Sequence, residues 1–206
     1  SDAAEFPFAD EGITTSIRKA TLTGKPYPIK GWFVYSSNLM QALPDERETI
    51  EAIRKLDLLV VCDTLPSEIA GWADVVLPDT TFLERHDELL TGYGHTGWIA
   101  LRQPVVAPPH DQKPAWWIAK QLAGKLGVGS SMPFEDLKEY LAHRVTASGL
   151  SWEQLQRDGV LMAAHKPATV EEGLELEFDT PSGKVEFWSD QLAAAGFDAV
   201  PRYVRH

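Results

Sequence analysis

Residues 31–78 read GWFVYSSNLMQALPDERETIEAIRKLDLLVVCDTLPSEIAGWADVVLP, and three apolar runs within that stretch decide the fold. Gly31-Trp32-Phe33-Val34-Tyr35 is aromatic and β-branched and stops at the polar Ser36-Ser37-Asn38, as a buried strand running into a loop does. Pro44-Asp45 opens a helical pattern in which Thr49, Ile50, Ile53 and Leu56 recur on one face. Asp45, Glu46 and Glu48 stand near its positive end. Residues 57–62, DLLVVC, form a continuous apolar run ending at Asp63, the signature of a strand covered on both faces. A short helix is expected between Pro66 and Trp72, and Asp74-Val75-Val76-Leu77 is a third strand closed by Pro78. Strands alternating with helices at this pitch imply parallel pairing through crossovers, hence an α/β fold with a doubly wound, mostly parallel, Rossmann-like sheet.

Outward from this centre, a helix is expected through Ile13 to Leu22, ended by Gly24, and Lys25-Pro26-Tyr27-Pro28 forces an extended connection. Residues 79–113 read as a long loop region rich in Gly, Thr and His. Its aromatic residues, Tyr93 and Trp98 among them, are expected at the surface. Extra C-terminal helices follow over Lys113–Leu126, Pro133–Ala147 and Ser151–Asp158, the last with Ser151 as N-cap. Residues 178–188 predict a tight turn into a short strand, after which Ser189 caps a final helix stopping at Gly196. The expected organisation is an α/β binding domain over 1–127, a helical extension over 128–177 and a connecting strand and helix over 178–206.

Composition narrows the function. Thirty acidic residues against 19 Lys and Arg give a net charge of -11 without a basic run, so nucleic acid is not an expected partner. The apolar runs fall short of the roughly 20 residues of a membrane-spanning helix, so direct membrane insertion is not expected. Cys62 is the only cysteine, which excludes an internal disulfide and a self-contained iron–sulfur cluster, and its apolar setting reads as a small buried hydrophobe. No Gly-rich phosphate fingerprint and no G-x-S-x-G elbow is present.

Ligands of open parallel sheets bind beyond the carboxyl ends of the strands. Two strand exits carry suitable groups. Ser36-Ser37-Asn38 offers two hydroxyls and an amide for phosphate or sugar oxygens, with ordinary turn chemistry as the plainer alternative. Asp63, with Thr64 and Ser67 after it, can accept two parallel N–H donors, which fits the N1 and N2 edge of guanine or a pair of ribose hydroxyls; a helix cap is its alternative. His86, His95 and His110 lie in the loop region with Glu84, Asp87 and Glu88, without metal-ligand spacing on one helix.

The order of these motifs resembles the guanine-dinucleotide-binding region of molybdopterin oxidoreductase catalytic subunits, the dimethyl-sulfoxide-reductase family. NLMQALPD is similar to that family's G-x-N-P loop, and VVCDTLPSEIAGWADVVLP to its strand, Asp, helix and A-D-V-V-L-P sequence. TPSGKVEFWSDQLAAAGFDAVPRY resembles the segment leading into the family's C-terminal barrel. Two positions depart: Tyr-Ser-Ser-Asn stands where the family has Gly-Thr-Asn, and Leu39 where it has Pro. The PYPIK, LPSE and FLER variants are similar to the polysulfide, thiosulfate and tetrathionate reductase branch. The resemblance implies that Ser36, Ser37, Asn38, Asp63, Thr64 and Ser67 meet the nucleotide of a molybdopterin guanine dinucleotide carrying molybdenum or tungsten. It implies that Glu84 and Asp87 lie toward the pterin and that no residue here ligates the metal. It further implies that this is an excised domain, inactive alone, whose iron–sulfur cluster lies N-terminal to it. The implied partners are the rest of the catalytic subunit, an iron–sulfur electron-transfer subunit and a membrane anchor subunit, in the bacterial periplasm or else the cytoplasm. A stand-alone nucleotide-binding module and a structural docking domain are the rival classes.

Overall fold

The computed structural model describes residues 8, 12–92, 96–167, 169–200 and 202–203. Three parallel strands, β1 (Gly31–Tyr35), β2 (Leu58–Asp63) and β3 (Val75–Pro78), form a sheet in that order, with Tyr35 opposite Cys62 and Cys62 opposite Leu77. The expected α/β fold with a parallel sheet and helices is what the chain forms. Because side chains alternate across a strand, one face of the sheet carries Trp32, Val34, Leu59 and Val61. These are buried with Met40 of α2 (Leu39–Ala42), Ala52 and Ile53 of α3 (Glu46–Ile53), and Ile69 of a single 3₁₀ turn at Glu68–Trp72. The opposite face, bearing Phe33, Tyr35 and Cys62, looks across an apolar gap of about 330 Å³ to Ile118 and Leu122 of α4 (Ala115–Lys125).

Capping and buried polar contacts set the joints. Asp45 accepts from the Glu48 amide at 3.2 Å to begin α3. The buried Arg18 of α1 (Thr14–Thr23) donates to Thr49 Oγ1 at 3.0 Å and pairs with Glu48, while Trp32 Nε1 donates to Thr21 Oγ1 at 3.1 Å. Asp74 accepts from the Leu59 amide at 2.7 Å, so the carboxylate before β3 also satisfies the start of β2.

The second half departs from expectation in three places. The region 79–113 is not all loop: β4 (Leu90–Gly92) and β5 (Trp98–Ala100) pair antiparallel, and β5 pairs antiparallel with β6 (Val160–Met162). Helix α5 begins at Leu137 rather than Pro133 because Asp136 caps it, accepting from the Glu139 amide at 2.8 Å; it ends at Ala147. No strand forms at 184–188. Thr180–Gly183 makes the turn, closed by Gly183 N–H to Thr180 O at 2.9 Å, but residues 184–188 find no backbone partner to pair with among the described residues. Helices α6 (Trp152–Asp158) and α7 (Asp190–Ala194) start at Ser151 and Ser189, each hydroxyl accepting from the amide three residues on. Leu101, Leu141, Val145, Trp152 and Leu155 form a second core, drawing on residues from either side of position 127. Trp98 is exposed, and Tyr93 and His95 lie outside the described residues. Among the described residues, no helix is long and apolar enough to cross a membrane.

Candidate cofactor-binding site

The sheet delivers its chemistry at the carboxyl ends of β1, β2 and β3. As β1 ends, Ser36 takes a positive φ of 49° while its amide still donates to Cys62 O at 2.9 Å, so the chain leaves the sheet abruptly at that residue. Ser37 lines a groove of about 360 Å³ running along β1. Asn38 precedes α2 and donates its side-chain amide to Glu68, which also accepts from Gln41 Nε2 at 2.7 Å. Glu68 follows Ser67, so this carboxylate ties the loop after β1 to the loop after β2.

At the second exit Asp63 is half-buried. Its Oδ1 accepts from the Thr64 amide at 2.7 Å and, more weakly, the Leu65 amide at 3.4 Å; among the described residues its Oδ2 meets only the Ser67 hydroxyl, at 3.3 Å. Thr64 then enters an open cleft of about 530 Å³ between the ends of β2 and β3 and residues 110–118, which His110 also lines. The structure therefore groups Asn38, Asp63, Thr64 and Ser67 along one joined pair of loops, with Ser36 and Ser37 at their start. Glu84 and Asp87 are elsewhere. Glu84 accepts from the Thr81 amide at 2.8 Å, closing its own turn, and lines a different cavity of about 240 Å³ with His86 and Asp136. Burial, reinforced by Lys138, lowers the His86 pKa from its ordinary value.

Asp87 serves a network that sequence reasoning missed. Asp79, directly after β3, keeps a carboxylate with a side chain only 1% exposed. It accepts from the Thr80 amide at 2.8 Å and from Arg85 Nη1 at 2.5 Å. Arg85 Nε reaches Asp87 at 2.7 Å, and Arg102 reaches the other oxygen of Asp87 at 2.6 Å. Burial works against the Arg85 charge, but its hydrogen bonds to Asp79 and Asp87 outweigh that and hold its pKa above the ordinary value. Tyr35, hydrogen-bonded to Asp79, is pushed up to about 12 by burial and then by that carboxylate. Cys62 is pushed up to about 11, again first by burial. The signal was available in strand parity: Tyr35, Cys62 and Leu77 are register partners, and Asp79 lies two residues beyond Leu77.

Known proteins resemble this chain in sequence and in fold. The chain is 32% identical to the molybdopterin-containing subunit of thiosulfate reductase from Salmonella typhimurium, over 92% of this chain and 28% of that protein. It is 29% identical to acetylene hydratase from Syntrophotalea acetylenica, over 92% of this chain and 26% of that protein. The solved structure of acetylene hydratase from Pelobacter acetylenicus superposes with a TM-score of 0.73 at 28% identity, again over 92% of this chain and 26% of that one. The chain thus spans about a quarter of the length of these enzymes. The sequence profile described as molybdopterin oxidoreductase matches residues 1–125, and on that match the chain belongs to the molybdopterin oxidoreductase family.

Proposed function

We propose that this chain seats the nucleotide end of molybdopterin guanine dinucleotide within a larger catalytic subunit. The observation that carries the reading is the joining of the two strand exits, Asn38 to Glu68, with Asp63 at the base of the second loop. The residues suit the group. Among the described residues, Asn38 Oδ1 is buried and receives no hydrogen bond, so it presents an acceptor for a ligand O–H or N–H. Asp63 Oδ2, met only by a long contact from Ser67, keeps lone pairs for a base N–H. When bound, the cofactor supplies two-electron or oxo-transfer chemistry, and the chain supplies binding and orientation.

The similarity to a thiosulfate reductase subunit and to acetylene hydratase is nearly equal, although their names specify different substrates. What this segment shares with both is therefore attributed to the cofactor. For the whole subunit we favour a thiosulfate- or polysulfide-type sulfur substrate, on the higher identity to the reductase and the LPSE and FLER variants. Electron-transfer and membrane-anchor subunits in the periplasm complete that proposal, as does an iron–sulfur cluster outside these residues.

The test is Asp63→Asn, which sets an N–H donor against a donor and removes charge assistance. Calorimetry should show guanosine monophosphate binding weakened by about 2–3 kcal/mol, roughly 30- to 150-fold, with adenosine monophosphate little affected. Equal losses for both nucleotides would mean that Asp63 holds its loop and does not read the base.

A further inference from the structure

Away from the two strand exits, a cavity of about 240 Å³ lies where the segment after β3 meets the starts of α4 and α5. His86 lines it from that segment, Trp116 from α4, and Asp136 and Lys138 from the start of α5. The helices are fastened to each other without His86: Lys120 of α4 donates to the Phe134 and Glu135 carbonyls, each at 2.9 Å, and Trp116 stacks on Tyr140 of α5 with ring centres 5.1 Å apart. The segment is fastened to the end of the sheet by Arg85 on Asp79. His86 has no such tie. Among the described residues, neither its ring nor the Lys138 ammonium makes a hydrogen bond. Trp116 carries a second mark of imperfect closure, since its Nε1 is sealed from solvent and donates to nothing among the described residues. A buried donor left unmade costs free energy that hydration returns.

The charges around His86 decide what acid does to it. On its own segment, Arg85 is engaged by Asp79 and Asp87, and Glu84 by the Thr81 amide. Before and within α5, Glu135 is engaged by Lys120, Asp136 by the Glu139 amide that it caps, and Lys138 by nothing among the described residues. The start of α4 contributes Pro114, Trp116 and Trp117, which carry no charge. Burial first, and Lys138 second, hold the His86 pKa below its ordinary value, with Asp136 opposing them; the positive end of the α5 dipole works in the same direction as Lys138. We propose that His86 is an acid-operated latch: neutral, it packs against the starts of α4 and α5 and keeps water from Trp116; protonated, it swings out and the cavity floods. With the ring swung out, His86 titrates near the usual value of about 6.5. Closure is therefore fully favoured above that pH and weakens as pH falls through it, until pH lies below the lowered pKa of the packed ring. The joint that loosens lies between the two cores, because Arg85 holds the sheet and α5 carries Leu141 and Val145. The latch does not depend on the nucleotide-binding reading.

The experiment follows the indole N–H signals of the 206-residue chain by nitrogen-15 NMR, that of Trp116 being the one lost in Trp116→Phe. Solvent access is read as broadening by a soluble gadolinium chelate. In the unaltered chain the Trp116 signal should be little affected above neutral pH and broaden several-fold as pH falls from about 6.5 toward 5.5. His86→Phe cannot charge, so its signal should stay sharp throughout; His86→Gln makes the same test if the larger ring does not fit. His86→Lys carries its charge at every pH of the range and should broaden the signal already above neutrality. Lys138→Met removes the facing ammonium, so the midpoint of broadening should move up toward that of an ordinary histidine. Backbone amide spectra check that each variant folds. An unaltered chain whose Trp116 signal is as sharp at the acid end as above neutrality would overturn the proposal. The same acid broadening in His86→Phe or His86→Gln would also overturn it and would pass the effect to another group, such as His143 beside Phe134.

Discussion

Arg85 donates to Asp79 across 2.5 Å, and the carboxylate it meets is sealed from solvent at the carboxyl end of β3. The same guanidinium donates to the Thr80 carbonyl at 2.6 Å and to Asp87 at 2.7 Å, so one cation gathers the chain as it turns away from the sheet. Asp87 passes the connection to Arg102, next to Leu101 of the second core. A buried ion pair of this kind adds little net stability compared with a well-packed apolar pair, but it tolerates the loss of one partner badly.

Arg85→Met should therefore destabilise the chain by about 3–5 kcal/mol, because it leaves the Asp79 charge buried without its counter-ion. Urea unfolding measures this as a fall in midpoint. The double variant Asp79→Asn with Arg85→Met should recover a substantial part of the loss. A double variant as unstable as Arg85→Met alone would show that packing of the arginine stem, rather than charge, is what the site needs.

Cys62 makes the high-pH limb of stability informative. Its thiol is fully buried and its pKa is raised from 9.0 to about 11, so folding favours the protonated form. A pKa raised on folding contributes stability that is complete below pH 9 and is lost as pH climbs toward 11, by roughly 2–3 kcal/mol for a shift of this size. Cys62→Ala should flatten the decline between pH 9 and 11, and the native thiol should resist a thiol-specific chromogenic reagent at pH 8 until denaturant is added. Rapid labelling of the native chain at that pH would contradict the buried placement.

The parallel sheet was legible because LLVVC and DVVL are short apolar runs with polar stops at the right places, although the double coverage such runs suggest is not met at β3, where Val75 and Val76 are exposed. The second sheet was not, since β4, β5 and β6 have three residues each and Leu90-Thr91-Gly92 carries no period long enough to separate a strand from a loop. The sequence 184–188 shows the converse failure: Val185, Phe187 and Trp188 have strand chemistry, and a strand needs a neighbour that composition does not reveal. At the site, Asp63 was legible as the first polar residue after an apolar run. Asp79 sits in an equivalent position after VVLP, yet its burial depends on Arg85 folding back, which no local pattern encodes.

Ser36 offers a test on backbone strain alone. Its φ of 49° places a residue with a Cβ in the left-handed region, at the position where the resembled motif carries Gly. Ser36→Gly should raise stability by about 0.5–1 kcal/mol, the relief of left-handed strain exceeding the added chain entropy of glycine. Thermal melting reads the difference, and a lowered melting temperature would mean that the serine side chain holds the loop.

Asn38 separates a residue retained for stability from one retained for binding. Its amide makes one exposed hydrogen bond to Glu68, worth about 0.5–1.5 kcal/mol, while its buried Oδ1 receives no bond among the described residues and costs a comparable amount or more. Asn38→Ala removes both, so the two effects nearly cancel and melting should stay within about 1 kcal/mol of the parent chain. Binding should not be spared. If Oδ1 accepts from a ribose hydroxyl, guanosine and adenosine monophosphates should both weaken by roughly three- to tenfold, since both carry that hydroxyl. This pattern contrasts with the guanine-selective loss at Asp63, and the two variants together divide the nucleotide into its sugar and its base. Loss confined to guanosine monophosphate would move Asn38 to the base, and unchanged affinity for both would remove the β1 exit from the site.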